Sequence, residues 1–321
     1  MTAPGTGNAP HAAALRWIRV LSLATFATTY CLVVLGSTVR VTNSGMGCNG
    51  WPLCSGQVGP ISQFHPLLEQ SHRYLAALVT VLVVVLAIVV LRAGGAARHV
   101  RGPALASVGV IAVQIALGAV TVVTDNAPVT VALHLLVATL FLGIVTVSAV
   151  ASFIGADRSW SLLHRPGRLA WAAVCGLYLV MISGSVVVDG GAQSACTAWP
   201  ACSSSTVSSG LVAIQLAHRS MVLIASVLLV AFLVVRLRAK KTSTAERTLA
   251  ICALPLLAAQ IAVGALSALN SARAGIADLH LALAAALWSV VVAVFALAAA
   301  GATDQAASGG GPAVALVESR A

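Results

Sequence analysis

Cys48 to Cys54 reads CNGWPLC and, after a short polar run, His65 to Arg73 reads HPLLEQSHR at the start of a long apolar segment. The stretch sets two cysteines in a Cys-x-x-Trp-Pro-x-Cys frame ahead of an acid, Glu69, and a histidine, His72. The frame returns 148 residues later, where Cys196 to Cys202 reads CTAWPAC, and His218-Arg219 follows 146 residues after His72-Arg73. A motif set repeated in the same order at a nearly fixed offset marks a duplicated unit.

The 321 residues around it are 59% hydrophobic and 8% charged, with mean hydropathy +0.99. A water-soluble chain carries about 25% charged residues, so most of this surface is not built for water. Apolar runs long enough to cross a hydrocarbon layer of about 30 Å as helices fall near Trp17–Val39, Pro66–Leu91, Pro103–Thr124, Val129–Ile154, Leu169–Val188, Leu211–Val235, Leu249–Leu269 and Ala274–Ala300. In lipid every backbone polar group must be satisfied internally, which selects helices over open sheets. The sequence therefore predicts an all-α membrane protein with eight transmembrane helices. Four spans per half is an even number, so both halves keep one orientation. They should form two tandem four-helix bundles related by a pseudo-twofold axis along the membrane normal. The expected units are residues 1–155 and 156–301, with 302–321 a disordered tail.

A net charge of +10 suggests nucleic acid, but its distribution points to a bilayer instead. One side of the eight spans collects Arg16, Arg19, Arg92, Arg98, Arg101, Arg158, Arg165, Arg168, Arg236, Arg238, Lys240, Lys241, Arg247 and Arg320; the other holds only Arg40, Arg73, Arg219 and Arg273. Fourteen against four is a strong positive-inside bias. It predicts a multi-pass protein of the cell (inner) membrane, with both termini cytoplasmic and the cysteine loops on the outer face. No convincing cleavage site follows the first span, which reads as an uncleaved helix.

On the outer side an oxidising environment favours a disulfide within each loop, Cys48–Cys54 and Cys196–Cys202. Metal binding is the alternative, although this spacing without further ligands is poor for zinc. Cys31, Cys175 and Cys252 stand alone in apolar runs and read as small packing residues. Glu69 and His72, three apart, share a helix face, and ionisable groups inside a membrane usually mark function. His65 has Leu211 as its counterpart and reads as a loop or cap residue. Gln114 and Gly118 recur as Gln260 and Gly264, for which interhelical bonding and close packing is the preferred reading. His134 recurs as His280 at the same 146-residue offset, so every even-numbered span enters from the outer face with one histidine at similar depth. Facing imidazoles in a bundle core suit the axial positions of a haem iron. Where the first half has Glu69, the second has Gln215. A carboxylate can move protons and an amide cannot, which suggests chemistry in the N-terminal half; drift between duplicated halves is the alternative.

With these motifs in this order, the chain resembles the haem A synthase family across its whole membrane region. The resemblance implies oxidation of one methyl group of haem O to the formyl group of haem A by successive hydroxylations, for terminal oxidase biogenesis. It implies a haem b held by His218 and His280 in the C-terminal half. The substrate haem would lie between His72 and His134, with Glu69 as the catalytic acid and Arg73 and Arg219 as candidates for the haem propionates. Besides haem O, haem A and the bilayer, the implied partners are haem O synthase and a terminal oxidase assembly factor, with a homo-oligomer open. Three rivals remain at this point: a thiol–disulfide oxidoreductase acting on quinone, a di-haem b electron carrier and a transporter built from repeats.

Overall fold

The computed structural model describes residues 8–56, 58, 61–155, 158–162, 165–202, 208–270 and 273–303. His164 and residues 304–321, most of the expected disordered tail, lie outside the described residues. The chain runs through α1 (Asn8–Val41), α2 (Phe64–Ala93), a 3-10 turn (Gly94–Ala97), α3 (Arg98–Val123), α4 (Pro128–Ala151), β1 (Arg158–Trp160), α5 (Arg168–Asp189), α6 (Ser209–Arg238), α7 (Thr244–Leu269), α8 (Ala274–Ala298) and β2 (Ala300–Thr303).

Local chemistry accounts for several of these boundaries. Pro128 opens α4 at a position where its missing N–H costs nothing. Ser243 caps α7 by accepting the Glu246 N–H at 3.1 Å, and Glu246 in turn pairs with Arg236 at the end of α6. Gly94, at φ 59°, closes α2 in a conformation that L side chains avoid. The second helix begins at Phe64, two residues before the expected Pro66. β1 and β2 pair antiparallel, a short exception to the expected all-α fold.

Among the described residues seven stretches are long and apolar enough to cross a membrane; one of them, Phe64–Val123, is 60 residues long and contains α2, the 3-10 turn and α3. The fold is that of an all-helical, multi-pass membrane protein. Large apolar side chains such as Val81, Leu223, Ile224 and Val227 point outward, as lipid-facing residues do. Cys31, Cys175 and Cys252 are exposed as well, which corrects the expectation that they pack between helices. An apolar side chain in a bilayer gains little by turning inward, because lipid and protein are similarly apolar.

α1 to α4 pack in sequence, with α1 also meeting α4; α5 to α8 do the same, with α5 meeting α8. The two sets join through α1, α4, α5 and α8, and α8 sits at the centre, with 61% of its apolar window buried against 17% for α7. One continuous core runs across the join, including Phe141, Leu142 and Val145 from α4 and Trp288, Val291 and Phe295 from α8. The Trp288 indole donates to the Thr139 carbonyl at 2.9 Å and lies against Gly143. Tyr30 on α1 donates to the Ala282 carbonyl at 3.1 Å; 148 residues later, Tyr178 on α5 donates to the Leu136 carbonyl at 3.0 Å. At one end of the join Arg40 pairs with Asp189, and Thr38 bonds Asp278 at 2.8 Å.

Candidate functional site

Each cysteine loop is closed by a disulfide, Cys48–Cys54 and Cys196–Cys202, and folds back over the first turns of the helix that follows it. The anchor is an arginine. Arg73 Nη1 donates to the carbonyls of Gly50 at 2.8 Å and Pro52 at 3.2 Å; Arg219 Nη1 donates to those of Ala198 and Pro200, both at 2.9 Å. The sequence suggested these guanidinium groups for propionates, and here they bind loop carbonyls.

One turn earlier the two halves differ. Glu69 is 4% exposed; its Oε2 accepts the Cys48 N–H at 2.8 Å and its Oε1 pairs with Arg73. Gln215, equally buried, donates instead through Nε2 to the carbonyls of Ala192 at 2.9 Å and Gln193 at 3.3 Å. The first loop therefore offers N–H to an anion, and the second offers C=O to a neutral amide. His65 bonds the Ser44 hydroxyl at 2.8 Å at the helix start, a local tie rather than part of this cluster.

The four histidines each rest on a glycine of the preceding helix. A Cβ at Gly36 would lie 2.9 Å from His72 Cε1, one at Gly118 3.3 Å from His134, one at Gly184 3.4 Å from His218, and one at Gly264 2.8 Å from His280. Helix backbone and imidazole approach too closely for a Cβ at Gly36 and Gly264, whereas Gly184 leaves room for an ordinary contact. His72 lies within electrostatic range of His134, and His218 within that of His280. Gln114 and Gln260 bridge helices as their spacing suggested, but their partners are the histidines themselves. Gln114 Nε2 contacts His134 Nε2 at 3.0 Å and donates to the His134 carbonyl at 3.1 Å, while Gln260 reaches His280 Nε2 at 3.5 Å.

Sequence reasoning missed Gly36, Gly184 and Ser183. The two glycines could have been found, since they recur at the 148-residue offset of the cysteines. Ser183, which contacts His218 Nδ1 at 2.7 Å, has Leu35 as its counterpart and leaves no repeat signal.

The donor set narrows the chemistry. Among the described residues no group of three or more His, Cys, Asp and Glu converges to hold a bare metal ion, which needs about four ligands. Two imidazoles per half suit an iron whose other positions a macrocycle fills. The buried Nδ1 atoms of His72, His134 and His280 have no hydrogen-bond partner, so polar capacity is left over beside both histidine pairs. An open apolar cleft of about 280 Å³ between α5 and α6 is lined by His218, Ser183, Ile182, Ile214 and Met221, and His280 does not line it. The residues fit a haem.

The family profile described as "Cytochrome oxidase assembly protein" (COX15-CtaA) matches residues 19–292. A Symbiobacterium thermophilum protein named "Heme A synthase" is 30% identical over 289 residues, covering 86% of this chain and 94% of its own length. Proteins of the same name from Staphylococcus epidermidis (27% over 277 residues, 83% of this chain and 89% of theirs) and Shouchella clausii (30% over 248 residues, 74% and 80%) are similar as well.

Proposed function

The chain belongs to the cytochrome oxidase assembly protein (COX15-CtaA) family, and from that premise we propose that it is a membrane oxidoreductase converting haem O to haem A by oxidising one ring methyl to a formyl group. The spans are eight, counting α2 and α3 separately, and form two four-helix bundles within 1–155 and 156–301. The cysteine loops lie outside the cell membrane and both termini in the cytoplasm, on the charge asymmetry of the loops.

The N-terminal bundle takes the substrate haem between His72 and His134, and the C-terminal bundle takes haem b between His218 and His280. When bound there, haem b supplies one-electron exchange. The close histidine–glycine contacts orient each imidazole, and the apolar helix faces exclude water from the reacting edge. Arg73 and Arg219 have five N–H donors each. Those not used on the loops are available to propionates near the outer surface.

The observation that carries the assignment of roles is the inversion at Glu69 and Gln215. At this position only the N-terminal half has a carboxylate, held by the Cys48 N–H at Oε2 and by Arg73 at Oε1. Glu69 is the group that takes up or shields positive charge as the methyl is oxidised. In a di-haem electron carrier this acid would have only the structural task of holding the Cys48 N–H and Arg73. The partners implied are a synthase supplying haem O and a factor receiving haem A.

Glu69→Gln tests the reading. The variant should retain haem b at the wild-type level, by reduced-minus-oxidised spectroscopy, while haem A disappears from the extracted pigments. Wild-type haem A in that variant would remove Glu69 from the chemistry.

A further inference from the structure

The hydrogen bonds around the four histidines are not equivalent. The Ser183 hydroxyl has a single proton, and it donates that proton to the Val180 carbonyl at 2.8 Å. With the proton so placed, its 2.7 Å contact with His218 Nδ1 runs the other way, with Nδ1–H donating to Oγ. In that arrangement His218 carries its proton on Nδ1 and presents a bare lone pair at Nε2, the form that binds iron. His72 has no such partner. The counterpart of Ser183 is Leu35, one residue before Gly36 as Ser183 is one before Gly184, and His72 Nδ1 is buried and unbonded. The second histidine of each half lacks an Nδ1 partner in both halves, and the difference there lies at Nε2. Gln114 is seated on His134 Nε2 at 3.0 Å with a further bond to its carbonyl, whereas Gln260 is only loosely placed at 3.5 Å from His280 Nε2.

The geometry points to Ser183 as the positioning residue that makes the C-terminal haem site a permanent one, and to Leu35 as the replacement that leaves the N-terminal site exchangeable. The inference rests on the proposed placement of haem b and substrate, and adds to it why one haem stays while the other leaves. A fixed Nδ1–H bond orients the ring and raises its basicity, and loss of such an outer partner typically weakens metal binding about 10–100-fold. In the N-terminal half, His72 lacks that bond and His134 has an amide competing for its nitrogen. Both features lower the barrier to releasing a product.

The test uses the full-length holoprotein purified in detergent, with excess apomyoglobin as the acceptor of released haem. Ser183→Ala should lose haem b about 10–100-fold faster than wild type, and its haem midpoint potential should move upward as the ligand becomes a weaker donor. Ser183→Thr keeps the hydroxyl and should restore both. Leu35→Ser should retain haem O through a purification in which wild type loses it. A purely structural role would lower thermal stability and leave the potential unmoved. Unchanged release rate and potential in Ser183→Ala, or no gain of retained haem O in Leu35→Ser, overturns the inference and leaves the proposed function standing. Wild-type protein with no haem b bound through His218 and His280 overturns both.

Discussion

Glu69 and Gln215 occupy matching places under matching loops, yet one accepts a hydrogen bond from its loop and the other donates to it. A buried carboxylate depends on its partners far more than a buried amide does, because stripping the counter-charge leaves an uncompensated ion. The Glu69 and Arg73 side chains are only 6% and 12% exposed, so their pairing is not a surface ion pair. Arg73→Met is expected to destabilise the protein by about 3–5 kcal/mol. Arg219→Met, which leaves behind only a neutral glutamine and some carbonyls, should cost about 1–3 kcal/mol. Thermal unfolding of the two variants in the same detergent checks the order, and equal losses would contradict it.

At the scale of helices, histidine depth is set by pairs of elements: each imidazole on α2, α4, α6 or α8 fits against a glycine on the helix before it. The four contacts are not equally tight. An added methyl at Gly264 would come within 2.8 Å of His280, whereas at Gly184 it would meet His218 at an ordinary 3.4 Å. Overpacking costs about 1–3 kcal/mol, so Gly264→Ala should weaken haem b binding about tenfold or more and Gly184→Ala by less than about twofold. Haem-to-protein ratios after purification read the difference. These pairs also show what a sequence conveys. The apolar spans, the four histidines, the two cysteine pairs and the Glu69–Gln215 contrast recur at offsets of 146 or 148 residues or close to them and were legible. The bonds from Gln114, Gln260 and Ser183 were not read in advance, because they depend on the rotation and depth of one helix against another, and a periodic pattern fixes neither. The exposed cysteines were misread for a related reason: in lipid an apolar residue has little preference for the inside.

Across the whole molecule, α1, α4, α5 and α8 meet in the middle and the other helices stand at the perimeter. Trp288 links the two halves, its indole filling the notch at Gly143 and donating to Thr139. Trp288→Phe removes that hydrogen bond at a cost of about 1 kcal/mol, and the melting temperature should fall by about 2–4 °C without change in haem content. A loss of haem in that variant would mean that the join also shapes the cofactor sites. Because the larger core around Phe141 and Trp288 draws on both halves, neither half encloses that core alone. A gene severed between α4 and α5 should yield two fragments that recover together on co-expression and precipitate or self-pair when made singly. On the two-bundle reading, such self-pairing would re-create the symmetric dimer from which a tandem fusion could have arisen.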